Sequence, residues 1–294
     1  MTKLKKFTEK LMKYLILSLT IILSSVLFIS CSDLKEDIST SVPELTLHED
    51  GVVNPTSPNF HGNIIADNNW DMKQCQQCHS ANYSGGTAGS SCYDCHTQPG
   101  GPEACNTCHG EFADPLKSAP PRALDGSILT SSPGVGAHTT HLYENSIGKE
   151  IVCATCHKVP SSFSSETHLG NDDKAEIIFG ELALHNGSNP NYSFTNNTCS
   201  DTYCHGNFTF YKDSSNYAFV YTAATMVGNN FSAKWNQVDG SQAECGSCHG
   251  LPPTGHMAAT LTTCVNCHQG VVDNQGNIID KTKHINGVKN IFGN

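Results

Sequence analysis

Fourteen of the fifteen cysteines form seven closely spaced pairs, and in every pair the second cysteine is followed directly by histidine. Six copies read C-x-x-C-H: Cys75/Cys78/His79, Cys92/Cys95/His96, Cys105/Cys108/His109, Cys153/Cys156/His157, Cys245/Cys248/His249 and Cys264/Cys267/His268. The seventh is stretched to Cys199-Ser-Asp-Thr-Tyr-Cys204-His205. Two thiols at this spacing can add to the two vinyl groups on one edge of a porphyrin. The adjacent imidazole then lies under the ring as the iron's first axial ligand. The pattern predicts covalent haem c at seven sites, with His79, His96, His109, His157, His205, His249 and His268 as proximal ligands. The longer loop of the stretched site leaves Cys204 beside His205, so the iron ligand is unaffected.

Paired cysteines also build zinc knuckles, and exported cysteine-rich chains build disulfide frameworks. Neither explains the histidine. At this chain's Cys and His frequencies roughly 0.04 C-x-x-C-H strings arise by chance, against six found.

Eight histidines remain for the second axial positions: His48, His61, His138, His141, His168, His185, His256 and His284. Eight candidates for seven positions point to bis-histidine ligation throughout. His138 and His141, three apart in Gly134-Val-Gly-Ala-His-Thr-Thr-His-Leu142, could serve two different haems. His61 precedes the first cluster, His168 follows the fourth site, His256 follows Pro253 and His284 sits in Lys-His-Ile-Asn-Gly. His185 is taken as the seventh ahead of His48, which falls in a linker. Met72, Met226 and Met257 are rivals whose ordinary role is packing.

These groups need elements to hold them. Residues 1–30 read as a signal peptide: Lys3, Lys5, Lys6, Lys10 and Lys13, then an apolar run from Tyr14 to Ile29, then Ser30-Cys31. Cys31, the cysteine left over, stands where a lipoprotein signal is cut and acylated; an uncleaved membrane anchor is the alternative, although sixteen apolar-leaning residues fall short of the ~20 that span a bilayer. Either places the rest of the chain outside the cytoplasm. Residues 31–60 carry Ser, Thr and Pro without an apolar period and read as a lipidated flexible tether. The attachment sites then divide into a three-haem cluster over 61–125 and a four-haem region over 126–294. First cysteines are spaced by 17, 13, 48, 46, 46 and 19 residues, with only a weak repeat between His157-Lys-Val-Pro160 and His249-Gly-Leu-Pro252.

Long helical periods are absent and Gly, Ser, Thr, Asn and Pro punctuate every stretch. The chain should be mostly irregular, with short helices at the haem sites, a few short strands at 175–179, 207–211 and 217–221, and haems as its core. Without them it should be largely unfolded. A 264-residue domain has a radius of gyration of about 18 Å, so seven haems within it sit close enough to exchange electrons.

Five of the 17 Lys+Arg and one of the 27 Asp+Glu lie in the first thirty residues, leaving a formal charge of −14 on the remainder. Such a chain does not favour nucleic acid and meets cationic partners or positively charged mineral surfaces more readily.

Cys199-x4-Cys204-His205-Gly206, Cys153-Ala-Thr-Cys-His-Lys-Val-Pro160 and Cys245-Gly-Ser-Cys-His-Gly-Leu-Pro-Pro253, together with the 134–142 string, resemble the CxxxxCH/CxxCH multihaem c-type cytochromes associated with metal-reducing bacteria. The resemblance runs from about Gln74 to His284. It implies a multihaem cytochrome c fold and outer-membrane or extracellular electron transfer. Distal ligation is carried over to His138, His141, His168 and His256; His185 has no family counterpart, and the haem count is below that of many relatives. The expected protein is an electron-transfer lipoprotein rather than an enzyme, held in the outer membrane through Cys31 and facing periplasm or cell surface. Its partners are other redox proteins or cytochromes, and a metal-oxide or soluble ferric acceptor. An oxyanion reductase acting on nitrite or sulfite needs an open iron, and no C-x-x-C-K site occurs. A filament of stacked haems needs a distal histidine donated between subunits, for which the eighth spare histidine is available.

Overall fold

Regular structure is short and local in the computed structural model, which describes residues 2–28, 47–114, 116–118, 122–166, 168–169 and 174–293. The chain divides into two units, Met1–His61 and Gly62–Asn294.

In the first unit, helix α1 spans Thr2–Phe28. Its Ser18, Thr20 and Ser24 hydroxyls donate back to carbonyls three or four residues earlier, so these polar residues do not interrupt it. No helix among the described residues is long and apolar enough to cross a membrane. Cys31 and most of the expected tether lie outside the described residues. Residues 47–61 form successive turns: Asn54 Oδ1 accepts from Thr56 N at 3.1 Å, and the His61 amide donates to the Val52 carbonyl at 2.8 Å.

The second unit is built around the attachment sites. Helices α2 (His61–Asp67, entered from the first unit), α3 (Gln76–His79), α4 (Cys105–Cys108), α5 (His138–Leu142) and α6 (Leu261–Cys264) are each two turns or less. Further 3-10 turns cover Cys92–Asp94, Cys153–Thr155 and Tyr203–His205. The histidine amide donates to the first cysteine's carbonyl in His96→Cys92, His157→Cys153 and His268→Cys264, each at 2.9 Å. One helical turn thus carries both thiols and the imidazole. Helix α6 is closed by a capping box between Thr260 and Thr263.

Two small antiparallel sheets lie between the fourth and sixth sites. Strands β1 (Asn191–Ser193), β2 (Thr198–Ser200) and β5 (Ala233–Lys234) pair in the order β1-β2-β5, with Cys199 opposite Tyr192 on one side and Ala233 on the other. Strands β3 (Thr209–Tyr211) and β4 (Thr225–Val227) pair with Phe210 opposite Met226. The strand expected at 207–211 is present as β3. At 175–179 only an isolated bridge forms, His157 to Ile177. The stretch 217–221 is instead a 3-10 turn, Ala218–Val220, because Val220 and Tyr221 are both drawn into the one apolar cluster, beside Met226.

That cluster, with Phe210 and Tyr217 packed on it, is small for a chain of this length. Among the described residues Val135 is the largest side chain that is fully buried. Side chains alone therefore give the second unit little core, and its apolar walls face a cavity of about 830 Å³.

Candidate haem-attachment sites

All fourteen attachment cysteines are free thiols. Among the described residues no three His, Cys, Asp or Glu side chains converge as a metal cluster.

The sequence treats the fourteen thiols as equivalent, and the structure does not. Cys95, Cys105, Cys153 and Cys245 are exposed, whereas the other ten are partly covered. At the first site Cys78 lies within α3, half-buried, and its carbonyl accepts from Thr87 Oγ1 at 3.3 Å. Cys75 sits one turn earlier, where burial raises its thiol. At the second site burial likewise raises Cys92, but Cys95 falls just beyond the Cys92–Asp94 turn, its amide donating to the Cys92 carbonyl at 3.3 Å. The Cys95 thiol therefore faces solvent beside its covered partner.

The recurring feature of the later sites is a pair of imidazoles. His109 faces His168 with ring centres 6.4 Å apart, His138 faces His157 at 6.2 Å, His141 faces His205 at 6.2 Å and His249 faces His284 at 6.4 Å. Each pair joins an attachment-site histidine to one of the spare histidines. Two imidazoles on opposite sides of one metal, at about 2.0–2.1 Å to nitrogen and about 1.1 Å more to each ring centre, would stand about 6.3 Å apart. The donor set fits haem iron.

The rings are also oriented for ligation. Nδ1 of His109 donates to the Ser118 carbonyl, His168 to Phe163, His138 to Val135, His157 to Glu176, His141 to Ala137, His249 to Gly250 and His284 to Ile147. A backbone carbonyl on Nδ1 fixes the tautomer and leaves the Nε2 lone pair for metal. Burial pushes His138 and His205 down to about 4 and also lowers His109, His141 and His284. These imidazoles are neutral at pH 7, the form that ligates. His205 differs in that its buried Nδ1 has no hydrogen-bond partner.

The remaining candidates are placed differently. His79 Nδ1 donates to Ser90, and His96 meets Phe112 edge-on at 5.5 Å. His268, whose Nδ1 donates to Asn290, lines the 830 Å³ cavity together with His256, Cys245, Cys248, Cys264 and Cys267. His61 lies in the first unit with its Nδ1 on Val52, and His48 is exposed there. Among the described residues His185 is paired with Tyr203, edge-on at 4.7 Å, and with no attachment-site histidine. Met226 is buried in the apolar cluster.

The stretched site owes its extra residues to the sheet. Cys199 is held in the central strand β2, and the chain must turn out of it before the helical turn at Tyr203–His205 can begin. Asp201 makes that turn at φ 55°, held by Asn230 Nδ2 on its carboxylate at 2.7 Å and Asn207 Nδ2 on its carbonyl at 3.0 Å. Gly206 follows at φ 90°, where a Cβ would collide with the Cys248 carbonyl. Asn229 then binds the next site: its amide donates to Cys248 at 2.9 Å and its Nδ2 to Gly246 and Ser247 at 2.8 and 3.1 Å. The Cys199 and Cys245 sites are one stitched piece of backbone. Gly206 was visible in the motif; Asn229 carries no sequence signal beyond a polar residue after glycine.

Paired thiols and paired neutral imidazoles on short turns have the chemistry that covalent attachment and bis-histidine ligation of haem c would require. Residues 198–249 match the family model described as the Geobacter CxxxxCH...CXXCH motif, which begins and ends on the stitched piece just described. No curated protein and no solved structure matches the chain.

Proposed function

We propose that the chain is a heptahaem cytochrome lipoprotein that carries electrons between membrane redox partners and an extracellular acceptor such as ferric iron. The observation that carries this reading is the recurrence of facing imidazoles 6.2–6.4 Å apart at four attachment sites. Bound haem c supplies reversible one-electron exchange.

The chain's own residues do the rest. The fourteen motif cysteines, the covered Cys78 and the exposed Cys95 alike, tether the porphyrins, and the seven motif histidines supply the proximal nitrogens. His168, His138, His141 and His284 supply the distal nitrogens opposite His109, His157, His205 and His249. His256 is assigned to His268 because both line one cavity. His61 and one of His185 and His48 are left for the first two sites. Lys283 and Lys289, in the same cavity lining, offer ammonium groups to the porphyrin carboxylates. Burial pushes Cys199 and Cys204 up to about 12 and Cys108 and Cys156 up to about 11, so in the folded chain these thiols are protonated and shielded.

With both axial positions filled by histidine, no small molecule reaches iron without displacing an imidazole. This favours a carrier over an oxyanion reductase. The excess negative charge favours cationic partners or mineral surfaces, and lipid on Cys31 holds the protein at the outer membrane. Reduced holoprotein should bind little carbon monoxide, be reoxidised rapidly by soluble ferric chelates and show negligible turnover of nitrite, hydroxylamine or sulfite. Stoichiometric carbon monoxide binding with sustained turnover of one of these would replace the carrier with a reductase.

A further inference from the structure

Trp235 packs against both histidines of α5. Its ring meets His138 edge-on at 4.7 Å and stacks on His141 at 5.8 Å with the planes 29° apart. The attachment motifs do not call for an indole at this place. We propose that Trp235 is a positioning residue that sets the ring planes of the two distal imidazoles opposite His157 and His205, tying the axial ligation of two irons to one side chain. The proposal rests on the reading of His138 and His141 as distal ligands.

The hydrogen bonds from His138 Nδ1 to Val135 and from His141 Nδ1 to Ala137, each at 2.8 Å, point each ring but leave it free to rock about that bond. An aromatic edge against one ring and a face against the other remove this freedom. The indole is itself fixed. Its Nε1 donates to the Pro133 carbonyl at 2.8 Å and its backbone amide donates to the Asn197 carbonyl at 2.6 Å. The next residue holds the same loop, Asn236 Nδ2 donating to Ser131 at 2.9 Å. Trp235 directly follows β5, whose Ala233 pairs with Cys199. Gly136 provides the space, because a Cβ there would collide with the indole nitrogen. The side chain thus clamps the helix that presents two distal nitrogens onto the sheet that presents Cys199.

The consequence is specificity. Loss of the indole should disturb two haems and spare the other five. A residue needed only for folding would disturb all or none.

The test is low-temperature electron paramagnetic resonance of oxidised holoprotein for Trp235→Ala and Trp235→Phe, with His138→Met and His141→Met as references. Each methionine variant should remove one bis-histidine low-spin signal. Trp235→Ala should shift those same two signals, leave the rest in place and admit carbon monoxide to as many as two irons per chain. Trp235→Phe keeps a ring but loses the bond to Pro133, and should move the same two signals by less. If the methionine variants each remove a signal while both Trp235 variants leave those signals unmoved, the positioning role is wrong and the ligand reading stands. A uniform change across all signals also overturns it. If neither methionine variant removes a signal, the ligand reading itself fails. Should Trp235→Ala not accumulate, Trp235→Phe decides by the same criterion.

Discussion

The rings of His138 and His157 lie nearly parallel, 21° apart, whereas those of His109 and His168 are perpendicular at 90°. Both pairs have the separation of two ligands on one iron; were each to hold one, as proposed, this angle would be the angle between the two imidazole planes. Parallel planes split the iron's π-type d orbitals and perpendicular planes leave them nearly degenerate. Oxidised protein should therefore show at least two classes of low-spin signal: a rhombic one lost in His138→Met and a strongly anisotropic one lost in His168→Met. A single class of signal, unchanged by either substitution, contradicts these pairings.

The stitched piece of backbone at 198–249 makes a second prediction. Asn229→Ala removes two side-chain hydrogen bonds and should cost about 1–3 kcal/mol. Gly206→Ala should cost more, since it forces a positive φ on alanine and drives its methyl into the Cys248 carbonyl. Neither change removes a motif cysteine or histidine, so neither should lower the haem count. Thermal melting together with haem-to-protein ratio checks both parts; unchanged melting in Gly206→Ala contradicts this packing.

How much of this was legible beforehand depends on range. The motifs themselves were legible because their thiols and imidazole lie within a few residues of one another, and at Cys92, Cys153 and Cys264 the histidine amide closes a single turn onto the first cysteine; His138 and His141 were visible as two histidines three apart. The unequal cover of Cys78 and Cys95 was not, because the same four-residue spacing is silent about what the rest of the chain lays over each thiol. Which spare histidine meets which attachment histidine was hidden too, because the encounters are long-range: His284 is held by Ile147, 137 residues earlier. His185, a ligand candidate by count, lies edge-on to Tyr203, a contact that the count could not foretell. Strands β1, β2 and β5 have three residues or fewer, too few for an alternating pattern to register, and 217–221 has strand-like aromatics that pack as a turn. Trp235 gave no signal because its meaning lies in a contact with Gly136 and α5, about a hundred residues away.

Acid should destabilise the protein over a defined window. Burial holds His138 and His205 neutral in the folded chain down to about pH 4, while the unfolded chain takes up protons on them near the ordinary value of 6.5. A depressed folded value means the stabilisation is fully present above pH 6.5 and lost as pH falls from there to about 4. Coordination to iron acts in the same direction. The melting temperature should be level from pH 8 to 7 and fall steadily below about 6.5. Stability that rises on acidification would show these imidazoles to be charged in the fold.

Replacing Cys31 with alanine should release the protein from the membrane fraction, because the proposed lipid on Cys31 is its anchor. Fractionation with and without detergent reads the outcome. A variant that stays membrane-bound with its leader uncleaved supports anchoring by the apolar run instead.

The central claim is that every cysteine-cysteine-histidine motif, the stretched one included, carries its own haem. Intact mass of the purified holoprotein after acid denaturation measures this directly, because thioether bonds survive the treatment. The expected mass is that of the processed chain plus seven haem additions. Six additions, with the seventh restored by no change of host or haem supply and Cys199 and Cys204 titrating as free thiols, would contradict it.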